Sequence, residues 1–269
     1  MKFIISLCFG CFLLIACKSD TKKTTETPES AAQTVVESDN PPVSKQSFSV
    51  HPISHATMVL DWNDTTIYID PVGGAEAFTE HPSPDLILIT DIHGDHLNVE
   101  TLQALNTSKA KIIVPQAVAD KLPNEFDAQI DVLNNGDIKE RFGFTIEAIP
   151  MYNLREEALK FHNKGRGNGY VIQGSHGKRV YVSGDTEDIP EMRALKNIDV
   201  AFVCMNLPYT MTVKSAASAV AEFKPKEVYP YHYRGTEGLS DVALFKVWIK
   251  KSSANKEVKV VQLDWYPEN

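Results

Sequence analysis

One short segment of this 269-residue chain holds an unusual density of residue types that bind metals. Two carboxylates and two imidazoles follow the apolar run 86–89 within six residues, and they belong to Asp91, His93, Asp95 and His96. Such crowding is costly unless something binds these groups. Side chains at alternating positions of a strand end point the same way, and we expect Gly94 to bend the backbone so that all four converge. Mixed nitrogen and oxygen ligands indicate a first-row divalent metal.

Two later segments have the same form, an apolar strand that ends in a ligand-type residue. The run 179–182 leads to Asp185, and the run 227–230 leads to His232. Three strand ends would then offer ligands at one edge of the sheets. The alternative for 91–96 is a polar surface turn with chance histidines, but the recurrence of Asp185 and His232 in the same context favours metal binding.

The rest of the folded part alternates short strands with helices, and these elements must position the ligands. Strands are predicted at 48–53, 58–62, 66–69, 86–89, 112–114, 144–149, 170–172, 180–182, 200–204, 228–229 and 258–263. Helices are predicted at 97–105, 118–122, 189–195, 216–223 and 240–250. Both halves need an apolar sheet face covered by amphipathic helices, which predicts a layered α/β sandwich in one domain at 47–269.

The first 46 residues differ in composition from the rest. Residues 3–16 are uncharged but shorter than the roughly 20 residues of a membrane-spanning helix, so we predict a cleaved signal peptide at 1–16. Leu14-Ile15-Ala16-Cys17 resembles the lipobox of bacterial lipoproteins, which implies lipidation of Cys17; the alternative is an ordinary signal peptide with a chance cysteine. Residues 17–46 then form a flexible polar tether. The domain is expected to be exported and lipid-anchored to the cell envelope, on the periplasmic or surface side.

The charge and the cysteines argue against several protein classes. The formal net charge is −8 and the isoelectric point is about 5.5, with no cluster of Lys and Arg for phosphates, so no nucleic-acid partner is expected. Of the four cysteines only Cys204 falls in the presumed folded part, so no disulfide framework can form there. Cys204 lies in an apolar stretch and is predicted to be a small core residue.

The order of the motifs resembles a known family. His-x-Asp-His at 93–96, Gly-Asp-Thr at 184–186 and Pro-x-His-Tyr at 230–233 look like the metallo-β-lactamase superfamily, and the match covers the chain from about Phe48 onward. Other pieces look most like the small hydrolases related to ascorbate-6-phosphate lactonase; they are Ser54-His55-Ala56, Ile69-Asp70-Pro71, Tyr209-Thr210-Met211 and Tyr231-His232-Tyr233. The resemblance implies an α/β fold, the four-layer αββα sandwich.

The resemblance also implies roles for the ligands around two divalent metal ions. His93 and His232 would serve different metals, Asp95 and His96 would belong to the second site, and Asp185 would bridge both. A metal-bridging hydroxide would be the nucleophile, because two cations lower the pKa of water and stabilise the oxyanion that forms. Asp95 would orient that hydroxide and is the candidate for proton transfer.

The chain departs from the family pattern at two ligand positions. Asp91 stands where most members have a histidine; a carboxylate can still bind a metal but favours harder ions, so manganese or iron are alternatives to the zinc expected first. Many members also place a histidine after the strand at 144–149, where this chain has Pro-Met-Tyr-Asn. His162 is the nearest replacement as a ligand, and its alternative is a solvated loop histidine.

Several further residues are expected near the rim of the site. Arg166, in a glycine-containing loop, could hold an anionic group of a substrate, and Tyr209 and Tyr233 could contact the rest of it. Solvated loops or simple packing are the alternatives for all three. His55 opens a strand pattern and is either a hydrogen-bonded core histidine or a ligand, and a role in supporting a ligand would reconcile the two.

Three functions fit these predictions. The leading one is metal-dependent hydrolysis of a small-molecule ester, lactone, amide or phosphodiester. The second is a metal-dependent oxidoreductase on the same scaffold. The third is a lipoprotein that binds metal or solute without turnover, with the altered ligand set as a sign of lost catalysis. The resemblance alone does not imply antibiotic hydrolysis, because one fold hosts many reactions.

Overall fold

A computed structural model describes residues 47–252 and 258–267 of the chain. The predicted signal peptide at 1–16 and the tether at 17–46, with Cys17, lie outside the described residues. Among the residues that are described, no helix combines the length and the apolar character that crossing a bilayer requires.

The first sheet has six strands, each hydrogen-bonded to the next in sequence order. They are β1 (Phe48–Ser54), β2 (Thr57–Trp62), β3 (Thr65–Ile69), β4 (Leu86–Leu88), β5 (Lys111–Val114) and β6 (Ile130–Val132). Strands β1 to β3 form an antiparallel meander, and β3 to β6 run parallel. Two short helices, α1 (Val99–Ala104) and α2 (Gln116–Ala119), belong to the crossovers between the parallel strands.

The second sheet has seven strands in the order β15, β12, β11, β10, β9, β8, β7. Their bounds are β7 (Ile138–Arg141), β8 (Phe144–Met151), β9 (Gly167–Gln173), β10 (Arg179–Val182), β11 (Val200–Val203), β12 (Glu227–Pro230) and β15 (Lys259–Val260). Strands β7 to β10 are antiparallel, whereas β10, β11, β12 and β15 are parallel. The helices of this half are α3 (Pro190–Arg193), α4 (Val213–Phe223) and α5 (Val242–Lys251), and a small hairpin pairs β13 (Arg234–Gly235) with β14 (Gly238–Leu239).

Alternation along β4 shows how the layers stack. Leu86 and Leu88 belong to a core shared with the second sheet, whereas Ile87 packs on the opposite face in a core that includes Leu102 of α1 and Val118 of α2. Both faces of this strand are buried, as expected for a parallel strand covered on two sides. The first sheet therefore has the second sheet on one face and helices on the other.

The outer face of the second sheet is covered by α4 and α5. Helix α4 begins at the N-cap Thr212, whose side chain accepts a hydrogen bond from the backbone N–H of Ser215, and its buried positions include Val220 and Phe223. Helix α5 is capped in the same way by Asp241 and buries Phe245 and Ile249. The arrangement confirms the predicted four-layer αββα sandwich, a mixed α/β fold with few helices.

The predicted elements are found with shifted ends and some omissions. Helix α2 begins and ends earlier than predicted, α5 begins at Val242, and the predicted strand at 258–263 is reduced to β15. Four short strands, β6, β7, β13 and β14, were not predicted. Strand β7 reads Ile-Lys-Glu-Arg at the edge of its sheet, where alternating exposure leaves little apolar signal.

The two sheets are contiguous in sequence. Every strand of the first sheet precedes every strand of the second, and the chain passes from one sheet to the other once, at residues 133–137. The parallel strands β3 and β4 end at one edge of the first sheet, and β10, β11 and β12 end together in the second. Because side chains that follow such strand ends meet at one edge, the topology favours a site there.

Candidate metal centre

Every predicted ligand follows directly on a strand end or lies in a loop that returns to one. The segment 91–96 follows β4, Asp185 follows β10 and His232 follows β12, while His162 lies in the loop between β8 and β9. The structure brings all of these residues together from both sheets. Their donor atoms form two overlapping clusters, which we call the first group and the second group.

The second group consists of Asp95, His96, Asp185 and His232. His232 Nε2 lies 3.2 Å from one Asp185 carboxylate oxygen, and 3.3 Å from an oxygen of Asp95. His96 Nε2 lies 3.4 Å from the other Asp185 oxygen and 3.9 Å from Asp95. His96, Asp185 and His232 are buried, whereas the Asp95 side chain is 42% exposed. These distances place one possible cation among three buried ligands and one that faces the solvent.

A buried carboxylate supports His96 from behind. Asp70 Oδ2 lies 2.8 Å from His96 Nδ1, and Asp70 is itself held by the backbone N–H and the hydroxyl of Thr90, each at 2.7 Å. The side chains of Asp70 and His96 are both fully buried. A carboxylate on Nδ1 fixes the ring so that Nε2 is free to bind a metal, as in many metalloproteins.

The first group consists of Asp91, His93, His162 and the shared Asp185. His93 Nδ1 lies 2.7 Å from Asp91 Oδ2, and His162 Nε2 lies 3.8 Å from the same oxygen. His162 Nε2 also lies 3.4 Å from Asp185 Oδ2. Asp185 thus contacts a histidine of each group, which is the position that the family resemblance implies for a bridging ligand. The loop histidine His162 is buried and not solvated.

Hydrogen bonds around His162 indicate which of its nitrogens is free. The two amide hydrogens of Asn153 are used by the carbonyls of Ala158 and Tyr209, at 2.9 and 2.7 Å. His162 Nδ1 lies 3.1 Å from the same Tyr209 carbonyl, which can only accept. A proton on Nδ1 is therefore consistent with the network, and it leaves the Nε2 lone pair for a metal.

Asp91 has an arginine partner, which its counterpart Asp95 lacks. Arg166 donates from Nε to Asp91 Oδ1 at 3.1 Å and from Nη2 to Oδ2 at 3.0 Å, a bidentate pair. The Asp91 side chain is fully buried and that of Arg166 is 18% exposed. The prediction that Arg166 reaches out to a substrate is corrected, because its Nε and Nη2 are engaged by Asp91 and by the Phe161 carbonyl within the protein.

Unpartnered polar atoms test whether these residues fit metal ions. His96 Nε2, His162 Nε2 and Asp185 Oδ1 are buried and make no hydrogen bond to the described residues. Buried polar atoms in proteins are otherwise almost always paired. Three buried donors that converge on one another without a hydrogen bond are the arrangement that bound cations would satisfy, so the residues fit the predicted metals.

The charges of the cluster shift its pKa values strongly. Burial alone would raise the pKa of Asp185, but the adjacent His232 and His96 hold it well below its usual range. Burial alone would lower the pKa of His232, but the Asp185 carboxylate and a hydrogen bond to Asp95 raise it to about 9. The pKa of His96 is raised in the same way by Asp185 and Asp70, against the effect of burial. In the metal-free protein, protons on histidines therefore balance the carboxylates that cations would otherwise neutralise.

Backbone geometry fixes several ligands. Gly184 has φ +60°, and a Cβ there would lie 2.5 Å from the Met151 sulfur, so only glycine can precede Asp185 in this packing. His232 itself has φ +44°, an uncommon conformation that is often found at functional sites. Gly94 has an ordinary φ and open space around it, so the expected need for glycine within the 91–96 segment is not found.

A cleft of about 390 Å³ opens onto the centre, a size suited to a small molecule. It is lined by His93, Asp95, Phe161, His162, Asp185, Asn206 and Tyr209. Tyr209 therefore lies at the rim as predicted, with its ring edge-on to Phe161. The prediction for Tyr233 is corrected: it is buried against Tyr266 and does not line the cleft.

His55 lies beside the second group. Its carbonyl accepts a hydrogen bond from the backbone N–H of His232, and its ring lies edge-on to the His232 ring at 5.5 Å. It shares a cluster of possible ligand atoms with Asp95 and His232. Burial, followed by the charge of His232, lowers the pKa of His55. These contacts agree with a supporting role more than with a separate core position.

Sequence analysis assigned no role to the residues that orient the ligands, although Asp70 lies in one of the motifs that carry the resemblance. Asp70, Asn153 and Asn206 each follow a strand directly or within three residues, and Asn206 Nδ2 lies 3.4 Å from Asp185 and 3.3 Å from His232. Their position after apolar strands is the same signal that identified the ligands. Cys204, in contrast, is a fully buried core residue as predicted, and burial raises its pKa to about 12.

Comparison with known proteins agrees with this geometry. A family model described as a beta-lactamase superfamily domain matches residues 65–233. A UPF0173 metal-dependent hydrolase of Pyrococcus abyssi is 30% identical over 190 residues, which cover 67% of this chain and 82% of that protein.

Solved structures give the same result. A crystal structure from Parabacteroides distasonis, assigned as a metal-dependent hydrolase, is 37% identical, covers 82% of this chain and 94% of its own, and has a TM-score of 0.72. Igni18, a metallo hydrolase of Ignicoccus hospitalis, shares the fold at 22% identity and a TM-score of 0.65, covering 80% of this chain and 95% of its own. The chain belongs to the UPF0173 family of metal-dependent hydrolases in the metallo-β-lactamase superfamily.

Proposed function

We propose that the protein hydrolyses a small-molecule ester, lactone, amide or phosphodiester at a centre of two divalent cations, with zinc as the first candidate metal. Asp91, His93 and His162 would hold one cation, Asp95, His96 and His232 the other, and Asp185 both. The observation that carries the proposal is the position of Asp185, whose two oxygens lie within 3.4 Å of histidine nitrogens from both groups.

Bound cations would lower the pKa of a water molecule and supply positive charge for the oxyanion of the transition state. Asp95 would accept the proton of that water, because it is the one carboxylate of the second group whose side chain is substantially exposed, and it lines the cleft. Its pKa is held well below the usual range; burial opposes this shift, while the hydrogen bond from His232 and the charge of His96 favour it. Asp95 is therefore ionised at neutral pH.

The cleft lining favours uncharged substrates within this range. None of the described residues that line it is Lys or Arg, and Arg166 is engaged with Asp91. The aromatic rings of Phe161 and Tyr209 offer an apolar rim. Neutral esters and lactones should therefore be better substrates than phosphodiesters, which would find counter-charge only at the cations. The resemblance to ascorbate-6-phosphate lactonase supports the inclusion of lactones.

The test combines elemental analysis with a chromogenic screen of the soluble domain. We expect two metal ions per chain and turnover of at least one neutral ester or lactone. Asp185→Ala should lose both metals and all turnover, while Asp64→Ala, in an exposed turn, should keep both. Two metals per chain in Asp185→Ala would show that the centre is misassigned.

The alternatives have distinct outcomes in the same experiment. Two bound metals without turnover across the whole panel would favour a binding lipoprotein. Redox-active, coloured iron in the purified protein would favour an oxidoreductase; the carboxylate of Asp91 is the feature that admits such harder ions.

We further propose that Cys17 carries the lipid that anchors the domain to the cell envelope. The motif Leu-Ile-Ala-Cys and the polar composition of 18–46 support this. Mass spectrometry of the mature protein should find an acylated N-terminal Cys17, and Cys17→Ser should release the protein from the membrane fraction. An unmodified mature N-terminus at another residue would contradict the proposal.

A further inference from the structure

The pairing of Arg166 with Asp91 makes the two metal groups electrostatically unequal. In the first group the bidentate guanidinium neutralises the Asp91 carboxylate. In the second group, Asp95 and Asp185 have histidines as their only ion-pair partners among the described residues, and Asp70 adds a further carboxylate behind His96. The second group therefore presents more net negative charge to a divalent cation.

Backbone contacts on both sides of Arg166 fix the position of its guanidinium. Asn168 donates from its backbone N–H to the Thr90 carbonyl at 3.0 Å, which brings the start of β9 against the residue before Asp91. A Cβ on Gly167 would lie 2.8 Å from that carbonyl, so glycine is required for this approach. The carbonyl of Phe161 accepts from Arg166 Nη2 at 2.5 Å, so the nitrogen that donates to Asp91 Oδ2 is also held by the backbone.

We propose that Arg166 is the counter-charge of the first group: it makes Asp91 act toward a cation as an uncharged ligand would, and so sets the first site as the weaker of the two. The proposal rests on the metal centre proposed above. A cation at the first site would meet Arg166 across a carboxylate, at a distance where one unit charge alters binding by at least about tenfold in a partly screened interior. During a metal titration, the site formed by the second group should therefore be occupied at a lower metal concentration than the site formed by the first group.

A cycle of variants separates charge from packing. Arg166→Gln keeps a hydrogen-bond donor but removes the charge, so this variant should bind a cation at the first site at least about tenfold more tightly than the wild type does. Arg166→Lys keeps the charge but loses the bidentate fork, so its affinity for the cation at the first site should lie closer to that of the wild type than to that of Arg166→Gln. Asp91→His leaves the guanidinium of Arg166 without a carboxylate partner beside the first site, so this variant should no longer bind a cation there.

The double variant Asp91→His with Arg166→Gln is the decisive protein, because an uncharged ligand no longer needs a counter-charge. The double variant should therefore again bind a cation at the first site. The measurements are metal content by elemental analysis and stepwise affinity by titration of Zn²⁺ or Mn²⁺ into each metal-free protein, with circular dichroism to show that all variants are folded. All of these variants should retain the cation at the second site.

The outcomes discriminate this proposal from the proposed function. If the wild type takes up two metals but Asp91→His and the double variant bind the same number, Arg166 is merely structural and this proposal is overturned alone. The proposal is also overturned if Arg166→Gln and the wild type bind the cation at the first site with equal affinity. If the wild type binds no metal at all, both this proposal and the proposed function fail.

Discussion

The two metal groups share Asp185 and lie side by side, yet they are built differently. The second group is supported by a buried carboxylate, Asp70, which orients His96 and adds negative charge. The first group is supported by the backbone carbonyl of Tyr209, which contacts His162, and by the guanidinium of Arg166, which offsets the negative charge of Asp91. If both groups hold cations as proposed, the comparison implies that neighbouring sites with similar ligands differ in metal affinity because of the residues that contact the ligands from the protein side.

The largest expected difference between the groups concerns their histidines. His232→Ala should lose the tighter metal and reduce kcat by about a thousandfold, because the cation that His232 would hold is also the one that Asp95 would bind. His162→Ala should lose only the weaker metal, with a reduction of about ten- to a hundredfold. Metal content and steady-state kinetics measure both, and His51→Ala, a histidine outside the centre, is the control. Equal losses in the two variants would mean that the groups act as one unit.

A smaller effect is expected from Asp70→Asn. This change keeps the shape but weakens the support of His96 Nδ1, and such changes typically cost about ten- to a hundredfold in metal affinity. The loss should appear at the second site only, which titration of the metal-free protein can resolve. A matched loss at the first site would show that the two supports are not independent.

The pH dependence of stability sharpens the comparison further. The pKa of His232 in the metal-free protein is about 9, above its usual value in an unfolded chain, so its stabilising contribution is complete below about pH 6.5 and is lost as the pH rises through 9. That contribution is at most on the order of 3 kcal/mol. The Tm of the metal-free protein should fall between pH 7 and about 9.5, whereas added metal should abolish the fall, because it replaces the proton. A Tm of the metal-free protein that stays constant over this range would contradict the assignment.

The smallest effect is expected at the rim. Tyr209 contributes a ring to the cleft, while its carbonyl, which supports His162, belongs to the backbone. Tyr209→Ala should therefore raise KM by roughly fivefold through lost apolar contact, with metal content unchanged. Lost metal instead would mean that the ring is needed to hold the first group in place.

The sequence predicted the ligands better than their supports. Asp185 and His232 could be identified because strongly apolar strands end directly before them, and the sandwich followed from alternating strands and helices. The partner of Asp91 could not be predicted, because Arg166 is 75 residues away and only the contact between β9 and Thr90 brings it there. His162 had the same difficulty: nothing local distinguishes a buried loop histidine from a solvated one. The short edge strand β7 was missed because its residues are mostly charged.

The single passage between the sheets, at 133–137, has a consequence for how the molecule could be divided. A cut there yields an N-terminal piece with one whole sheet and a C-terminal piece with the other. Each piece carries only part of either group: Asp91, His93, Asp95 and His96 on one side, and His162, Asp185 and His232 on the other. Neither fragment carries either group complete, so cations held as proposed would join the two halves, and their uptake would report reassembly of the fragments.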